Sequence, residues 1–434
     1  MDVSVCLREW ETQSPRTHPE LTGVFLDNSN VVRDIADGLT NSQVLKITEL
    51  KNGLSVESTS YVGRISLGNM VFLVLPKIDQ MRLMKLMRYA YGLRNLRLVS
   101  KTVHSTGAQS FQDILIFQLV TETEEILSRG LIRKYMRANE DLTSPRGRPD
   151  MNRIAACQGL VGDKLPCIHY PRIEDCLLNQ ILLQGFKLAM KSTTDQELKA
   201  KLHQLSALFL DYVSEVELNL SLLMQAKRSI NRLSAAYRPA VTIIELLYTS
   251  FGIILDETNG QVTAPGFLFD MNRFFQALLS RFLNENLIGY EVRDEYRLKG
   301  MMKYQPGYNP RRRQAPAARP DFCVLQHGQI LSILDAKYRD LWANPLPRSM
   351  LYQLTIYALS QSKNRHAAIL YPSVEAGYQE MKVQINDPVR EMDCATVTLR
   401  PINLLHLEQL VSGGSQIARA EYAEWMAFGH LTIY

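Results

Sequence analysis

Two aspartates and a lysine in the C-terminal third of the chain have the residue types and spacing that phosphodiester hydrolysis requires. Asp321 precedes a short apolar segment and a turn around Gly328, and Asp335 and Lys337 follow the next apolar segment. If these segments pair as antiparallel strands, positions 321 and 335 lie opposite each other, with Cα atoms about 4.5–5.5 Å apart. Lys337 is two residues beyond Asp335 and would share its face of the strand.

This arrangement indicates a metal site, in which Asp321 and Asp335 share one divalent cation, expected to be Mg²⁺. The cation would polarise a phosphate and lower the pKa of a bound water, and the amine of Lys337 would orient that water or stabilise developing charge. The alternative is a solvated hairpin end, which commonly carries charge. The apolar residues at 330–334 favour the metal site, because charges at the end of a buried strand are costly unless they bind something.

The elements around these residues alternate between strand and helix. The apolar patterns and the glycine and proline positions predict strands over 322–325 and 330–336, a helix over 350–359 and a strand over 368–372. A further helix is expected over 268–284, before the hairpin. These elements predict an α/β domain with the aspartates and the lysine at the end of a central strand.

Composition is that of an ordinary globular protein. The chain has 434 residues, 46% of them hydrophobic, and a net charge of +5, which permits nucleic-acid binding without demonstrating it. The six cysteines are dispersed without a C-x-x-C pair, and no apolar run is long enough to span a membrane. With no signal pattern at the N-terminus, these features predict a cytoplasmic protein with reduced thiols.

Three regions are expected along the chain. Residues 1–110 have a β-rich pattern, residues 111–260 are mainly helical, and residues 261–434 contain the aspartate–lysine pattern.

The order of motifs resembles the McrC family, the nuclease subunits of the McrBC modification-dependent restriction systems. In the C-terminal region the order is Pro320-Asp321, then Ile333 to Lys337, then Leu351 to Tyr357 with its Gln353, then Leu370 to Pro372. The family's spaced landmarks also occur upstream, at Glu9-Trp10, Tyr61 to Gly63, Leu75 to Ile78, Gly130-Leu131, Arg146 to Arg148, Asp175 and Asn179. The resemblance covers nearly the whole chain.

The resemblance implies a fold, a reaction and a set of site residues. The fold would be an α/β C-terminal domain of the restriction-endonuclease-like PD-(D/E)xK type, behind a β-rich N-terminal domain and a helical middle region. The activity would be Mg²⁺-dependent cleavage of double-stranded, modified DNA, with Asp321 and Asp335 as metal ligands and Lys337 as a catalytic residue. Gln353 is expected near the metal-bound water, as in a Q-x-x-x-Y extension of the motif.

One position departs from the pattern. Nucleases of this class often carry a glutamate on the helix before the sheet, as a further ligand, and the corresponding residue here is Gln276. Its amide oxygen can accept a hydrogen bond or touch a metal weakly, but it carries no charge. The fourth ligand and the metal affinity are therefore in question.

Three consecutive arginines, Arg311 to Arg313, lie in a Gly- and Pro-rich loop just before Asp321. They could bind phosphates beside the scissile bond, since a guanidinium makes bidentate contacts to phosphate. The alternative, a solvated charged loop, is equally compatible with the sequence.

The sequence contains no G-x-x-x-x-G-K-[ST] phosphate loop, so it predicts no nucleotide motor in this chain. The resemblance implies a hexameric AAA+ GTPase partner of the McrB type, whose hydrolysis the N-terminal part of this chain would stimulate. Two alternatives remain open. The chain could be a non-catalytic bridging subunit of a ring NTPase with a weakened nuclease site, which Gln276 favours, or a stand-alone nuclease with its own DNA-recognition domain.

Overall fold

The computed structural model describes residues 3–27, 29–93, 111–156, 163–193, 195–254, 263–298, 300–361, 365–375, 377–387, 389 and 392–429. The chain divides into two compact units, the first formed by Met1–Asn95 with Ile254–Tyr434 and the second by Leu96–Ile253. The region boundaries expected near residues 110 and 260 lie outside the described residues. Where the structure describes the chain, no helix is long and apolar enough to cross a membrane.

The architecture is mixed α/β. The strands are β1 Val3–Arg8, β2 Thr12–Gln13, β3 Leu45–Leu50, β4 Gly53–Ser58, β5 Tyr61–Leu67, β6 Met70–Leu75, β7 Lys134–Tyr135, β8 Ala138–Leu142, β9 Arg148–Pro149, β10 Leu165–His169, β11 Arg172–Ile173, β12 Phe251–Ile254, β13 Thr263–Asp270, β14 Glu291–Asp294, β15 Phe322–Gln326, β16 Gln329–Ala336, β17 His366–Ser373, β18 Met381–Asn386 and β19 Asp393–Asn403. The helices are α1 Asn30–Asn41, α2 Gln80–Tyr91, α3 Phe111–Arg129, α4 Met151–Ala156, α5 Leu177–Ser192, α6 Gln196–Leu210, α7 Leu220–Ser229, α8 Arg238–Ser250, α9 Met271–Asn286, α10 Arg348–Leu359, α11 Leu404–Gly413 and α12 Gln416–Phe428, with short 3-10 turns at Pro19–Leu21 and Ala235–Tyr237.

In the first unit, the N-terminal strands form a mixed sheet in the order β1-β6-β5-β13. Strands β1 and β6 are parallel, and β5 is antiparallel to both β6 and β13. Strand β13 follows the second unit in sequence, so this sheet joins residues from both ends of the first unit. A smaller sheet, in the order β2-β4-β3, is formed by strands that lie between β1 and β5 in the chain.

A second mixed sheet of the first unit has the order β14-β15-β16-β17-β19-β18. Strand β16 is central, antiparallel to β15 and parallel to β17. Ile333 packs with Leu354 of helix α10 in one core cluster, whereas the Ser332 hydroxyl donates to the Ala427 carbonyl of α12. Neighbouring residues of a strand face opposite sides of the sheet, so α10 covers one face of β16 and α12 covers the other. The C-terminal half of β16 is accordingly buried.

The turn between β15 and β16 confirms the hairpin expected around Gly328. Gln326 pairs with Gln329, which leaves His327 and Gly328 as a two-residue loop. Both loop residues have positive φ, 50° and 77°, as a type I′ turn requires. This turn fixes the register that pairs Phe322 with Leu334 and so brings Asp321 towards Asp335.

The helix expected to begin at Leu268 begins three residues later. Leu268 lies in β13, where it pairs with Gly63 of β5, and the Asp270 side chain caps helix α9 by accepting from the Asn272 and Arg273 amides. The apolar residues before Asp270 are compatible with a strand as well as with a helix. The start of the helix was therefore predicted wrongly from the apolar pattern alone.

The second unit contains helices α3–α8 together with short strands that pair in two small sheets. Its core includes a buried polar residue, Asn179, whose amide donates to the Ile132 and Glu174 carbonyls and whose oxygen accepts from the Tyr237 hydroxyl. These bonds satisfy the side chain fully, which gives Asn179 a structural role.

Candidate active site

Asp321, Asp335 and Lys337 meet at the end of the β15–β16 hairpin. The Lys337 Nζ lies 3.0 Å from Asp335 Oδ2 and 3.5 Å from Asp321 Oδ2. The two carboxylates therefore converge on a single amine, in the arrangement that the spacing predicted. The Lys337 backbone amide donates to the Leu370 carbonyl of β17, which fixes the chain just after Asp335.

Asp321 is held by groups on two other elements. Its Oδ2 accepts a 2.8 Å hydrogen bond from the Ala336 backbone amide, across the hairpin. Its Oδ1 accepts a 3.2 Å hydrogen bond from the Gln276 amide of α9. The structure thus places Gln276 at the site, where the family pattern has a further ligand. The Gln276 side-chain nitrogen donates to the Asp321 carboxylate.

Burial differs between the three groups. The Asp335 side chain is 3% exposed, whereas the side chains of Asp321 and Lys337 are 18% and 29% exposed. Burial and the neighbouring Asp321 charge raise the pKa of Asp335 to about 6, against the opposing effect of Lys337. Burial acts to lower the pKa of Lys337, but the two carboxylates outweigh it and the pKa lies above its ordinary value.

Gln353 lies on helix α10, one turn before Tyr357. Its amide donates a 2.7 Å hydrogen bond to the Tyr357 hydroxyl, which in turn donates to the Arg319 carbonyl at 3.1 Å. The pair therefore anchors the chain two residues before Asp321. A position beside a metal-bound water stays a prediction for Gln353.

One positioning group was not identified from the sequence. The Asn272 side chain at the start of α9 accepts from the Tyr338 amide at 3.1 Å and donates to the Ser60 hydroxyl at 2.6 Å. It links the residue after Lys337 to the N-terminal sheet. No local motif marks Asn272, because its partners lie about 66 and 212 residues away in sequence.

The three loop arginines, Arg311 to Arg313, are all exposed. Asn309 organises this turn, since its side chain accepts from the Arg313 amide at 2.9 Å and donates to the Arg313 carbonyl at 2.8 Å. Arg312 has a positive φ of 49°. The loop is therefore a defined turn with three solvated guanidinium groups, and its role in DNA binding stays a prediction.

The donor set suits a hard divalent cation of the Mg²⁺ type. Such a cation is typically held by one or two carboxylates together with waters and substrate phosphates. Asp321 and Asp335 can provide the carboxylates. Within the described residues, no group of three or more His, Cys, Asp or Glu side chains is placed to hold a metal. A closed, all-protein metal site of the structural zinc kind is thus not formed by that part of the chain.

The chain is similar to known proteins in both sequence and fold. The family model described as "McrBC 5-methylcytosine restriction system component" matches residues 56–372. No curated protein matches the chain. The fold resembles a chain of the half-complex from the tetradecameric assembly of Thermococcus gammatolerans McrB AAA+ hexamers with bound McrC, with a TM-score of 0.60 and 18% identity over 98% of this chain and 99% of that one.

A second structure, the Thermococcus gammatolerans McrBC complex, gives a TM-score of 0.46 and 18% identity over 67% of this chain and 90% of that one. The family match spans well over half of the chain and confirms the resemblance that the motif order indicated. The chain belongs to the family of McrBC 5-methylcytosine restriction system components.

Proposed function

We propose that the chain is the metal-dependent DNA endonuclease subunit of an McrBC-like modification-dependent restriction complex, with a PD-(D/E)xK nuclease domain in its C-terminal part. The observation that carries this proposal is the convergence of Asp321 and Asp335 on the Lys337 amine at the end of a buried central strand. Two carboxylates beside one ammonium are costly at a largely buried position unless they bind a ligand.

Each of these side chains has a distinct part in the proposed reaction. Asp321 and Asp335 would hold Mg²⁺, which when bound polarises the phosphate and acidifies water. Lys337 remains protonated and donates to oxygens that gain negative charge in the transition state. The Ala336 amide and Gln276 fix the orientation of Asp321, so that its carboxylate needs little reorganisation.

The exposed loop of Arg311 to Arg313 would bind the DNA backbone. It precedes Asp321 by eight to ten residues, and its guanidinium groups are free to contact phosphates. Phosphate contacts of this type position DNA without reading its sequence. Recognition of a modified base is accordingly assigned to the partner.

The proposed partner is an AAA+ GTPase ring of the McrB type. The resembling structure contains McrB AAA+ hexamers with bound McrC, and this chain has no phosphate loop of its own. GTP hydrolysis by the ring, stimulated by this chain, would license cleavage.

A second candidate is a bridging subunit that stimulates the ring but cleaves DNA poorly. Gln276 favours this candidate. Its neutral amide donates a hydrogen bond to Asp321, whereas a glutamate at the same position would add a charged metal ligand. The intact pair of aspartates with Lys337 favours the endonuclease instead.

The test is supercoiled-plasmid cleavage by the full chain with Mg²⁺, a purified McrB-type ring and GTP, compared with the Asp335→Asn variant. The endonuclease assignment requires cleavage by the wild type and its loss in the variant, with GTPase stimulation retained by both. Stimulation without cleavage by either protein would establish the bridging subunit. Rapid cleavage without ring or GTP would indicate a stand-alone nuclease.

A further inference from the structure

A cavity of about 240 Å³ lies in the first unit, apart from the aspartate–lysine site. It opens where the carboxyl ends of parallel strands from both sheets come together: Arg8 ends β1, and Ser373 ends β17. Ligands of α/β proteins commonly bind outside the carboxyl ends of their parallel strands. Its lining also includes Glu9, Trp10 and Lys77.

Glu9 is the most unusual group in this lining. Its residue is 1% exposed, and neither carboxylate oxygen receives a hydrogen bond of ordinary geometry within the described part of the chain, although the Tyr338 hydroxyl and the Lys77 amide lie near it. Burial raises the pKa of Glu9 to about 8, against the effects of Tyr338 and Lys77. Buried carboxylates ordinarily make well-formed hydrogen bonds. Glu9 has only poorly placed neighbouring donors at a cavity wall, so its oxygens can accept further hydrogen bonds from a ligand.

Trp10 provides a second, independent observation. It has a φ of 59°, a left-handed conformation that is an outlier for a bulky residue, and its buried indole N–H lacks a hydrogen-bond partner among the described residues. The Arg339 guanidinium lies over its ring, 5.5 Å from the centroid. Backbone strain of this kind concentrates at ligand sites, where the surrounding structure holds it in place.

The charges around the cavity favour a neutral polar ligand. The positive charges of Arg8 and Lys77 disfavour a cationic ligand, and the negative charges of Asp340 and Glu375 disfavour an anionic group inside the cavity. The ligand must supply two adjacent N–H donors for Glu9 and can offer an acceptor to the Lys77 ammonium, which is only loosely paired with Asp340 at 3.8 Å.

One part of the lining is aromatic. Tyr378 lines the cavity and stacks on Trp342, with ring centroids 5.1 Å apart and planes 18° apart. A planar ring can pack against such a wall, as bases do in pockets that read a hydrogen-bonding edge.

We propose that this cavity binds a guanine base, with Glu9 accepting from the ring N–H and the amino group and Lys77 donating to the carbonyl oxygen. Guanine is the common base that presents these two donors side by side with an adjoining acceptor. The base could come from a free guanine nucleotide or from an unpaired position of a DNA strand. The site does not depend on the proposed cleavage, and its test measures binding alone.

The test is calorimetric titration of the full wild-type chain, without metal, with GMP, IMP and AMP, at pH 8.5. This pH lies above the pKa of about 8 at which Glu9 ionises, so that the carboxylate can accept both N–H groups. IMP lacks the amino group, and AMP has an acceptor in place of the ring N–H. Loss of one hydrogen bond to a charged group should weaken IMP about tenfold to a hundredfold relative to GMP, and AMP at least as much. Equal affinities for GMP and IMP, or no binding of GMP, would overturn the proposal.

Two variants localise the binding. Glu9→Gln should weaken GMP by about tenfold or more, because one acceptor oxygen becomes an amide donor. Glu20→Gln, at an exposed carboxylate outside the cavity lining, should change affinity by less than about threefold. Equal losses in both variants would show a general charge effect and contradict edge recognition. Thermal unfolding of each variant confirms that it is folded.

A second titration separates the two sources of the base. An oligothymidylate carrying one central dG that binds at least tenfold more tightly than GMP, and more tightly than oligothymidylate alone, would assign the pocket to DNA. GMP or GTP binding as tightly as the dG oligonucleotide would assign it to free nucleotide. Binding of both oligonucleotides with equal affinity, together with no binding of GMP, would contradict the pocket altogether.

Discussion

The Asp321 carboxylate accepts a 2.8 Å hydrogen bond from the backbone amide of Ala336, across the β15–β16 hairpin. This bond joins one aspartate of the site to the residue between the other aspartate and the lysine. The relative position of Asp321, Asp335 and Lys337 is therefore set by backbone geometry and by the two-residue turn at Gly328. Three side chains positioned only by their own rotamer preferences would have a less well defined relative position.

Replacing Lys337 with Met should reduce cleavage by about a hundredfold or more, because the positive charge beside the reacting phosphate is lost. The variant should still stimulate the GTPase of the ring. Plasmid cleavage and GTP hydrolysis measured on the same preparations check both expectations. Lys303→Met, an exposed lysine of the same unit, is the matched control and should cleave normally. Cleavage at the wild-type rate by Lys337→Met would remove this residue from the mechanism.

Gln276→Glu should tighten Mn²⁺ or Mg²⁺ binding by roughly tenfold, since affinity for hard cations rises with the number of charged oxygen ligands. Without metal, the same change places a third carboxylate beside Asp321 and should lower the thermal midpoint. Calorimetric titration with Mn²⁺ and unfolding with and without EDTA measure both effects. Gln329→Glu serves as the control, because Gln329 is exposed at the opposite end of β16 from Asp335. Unchanged Mn²⁺ affinity in Gln276→Glu would show that α9 adds no ligand position.

The hairpin was predictable because its signals are local. Apolar runs on either side of Gly328 fix two strands, and the turn sets a register that depends on few residues. The start of α9 was misplaced by the same kind of local argument, since the residues before Asp270 fit a strand as well as a helix. That choice is made by pairing with β5, about 200 residues upstream, which no local pattern contains.

The cavity at Glu9 was not predictable for a related reason. In the sequence, Glu9-Trp10 is only a family landmark. The residues that line the same cavity, Lys77, Tyr338 and Tyr378, are far from it in sequence. Burial of a carboxylate without partners is a property of the folded chain. It emerges only when strands β1, β6, β16 and β17 bring their ends together.

Replacing Arg311, Arg312 and Arg313 together with Ala should weaken DNA binding and flatten its salt dependence. Each lost phosphate contact removes about 0.9 from the log–log slope on duplex DNA. Titration of DNA affinity at several salt concentrations measures the change. A triple change at exposed basic residues elsewhere, Arg16, Lys51 and Arg82, tests whether net charge alone is responsible. Equal slopes for the loop variant and the wild type would leave the arginines as solvated charge.

Glu9 should make the protein less stable as the pH rises. The pKa of this carboxyl is raised from 4.5 to about 8 in the folded chain, so the native state holds its proton more tightly than the unfolded state. The resulting stabilisation is fully present below pH 4.5 and is lost as the pH rises through 8, with a magnitude of roughly a few kcal/mol at 1.36 kcal/mol per pKa unit.

Glu9→Gln removes this titration, because an amide does not ionise in that range. The variant should therefore have a thermal midpoint close to that of the wild type near pH 5 and a progressively higher one towards pH 8. Glu375→Gln, at an exposed carboxylate, should follow the wild-type curve throughout. Thermal unfolding of the three proteins at pH 5, 6.5 and 8 decides the matter. If the midpoints of wild type and Glu9→Gln differ by the same amount at all three pH values, the Glu9 carboxyl does not hold its proton in the folded chain and burial does not raise its pKa.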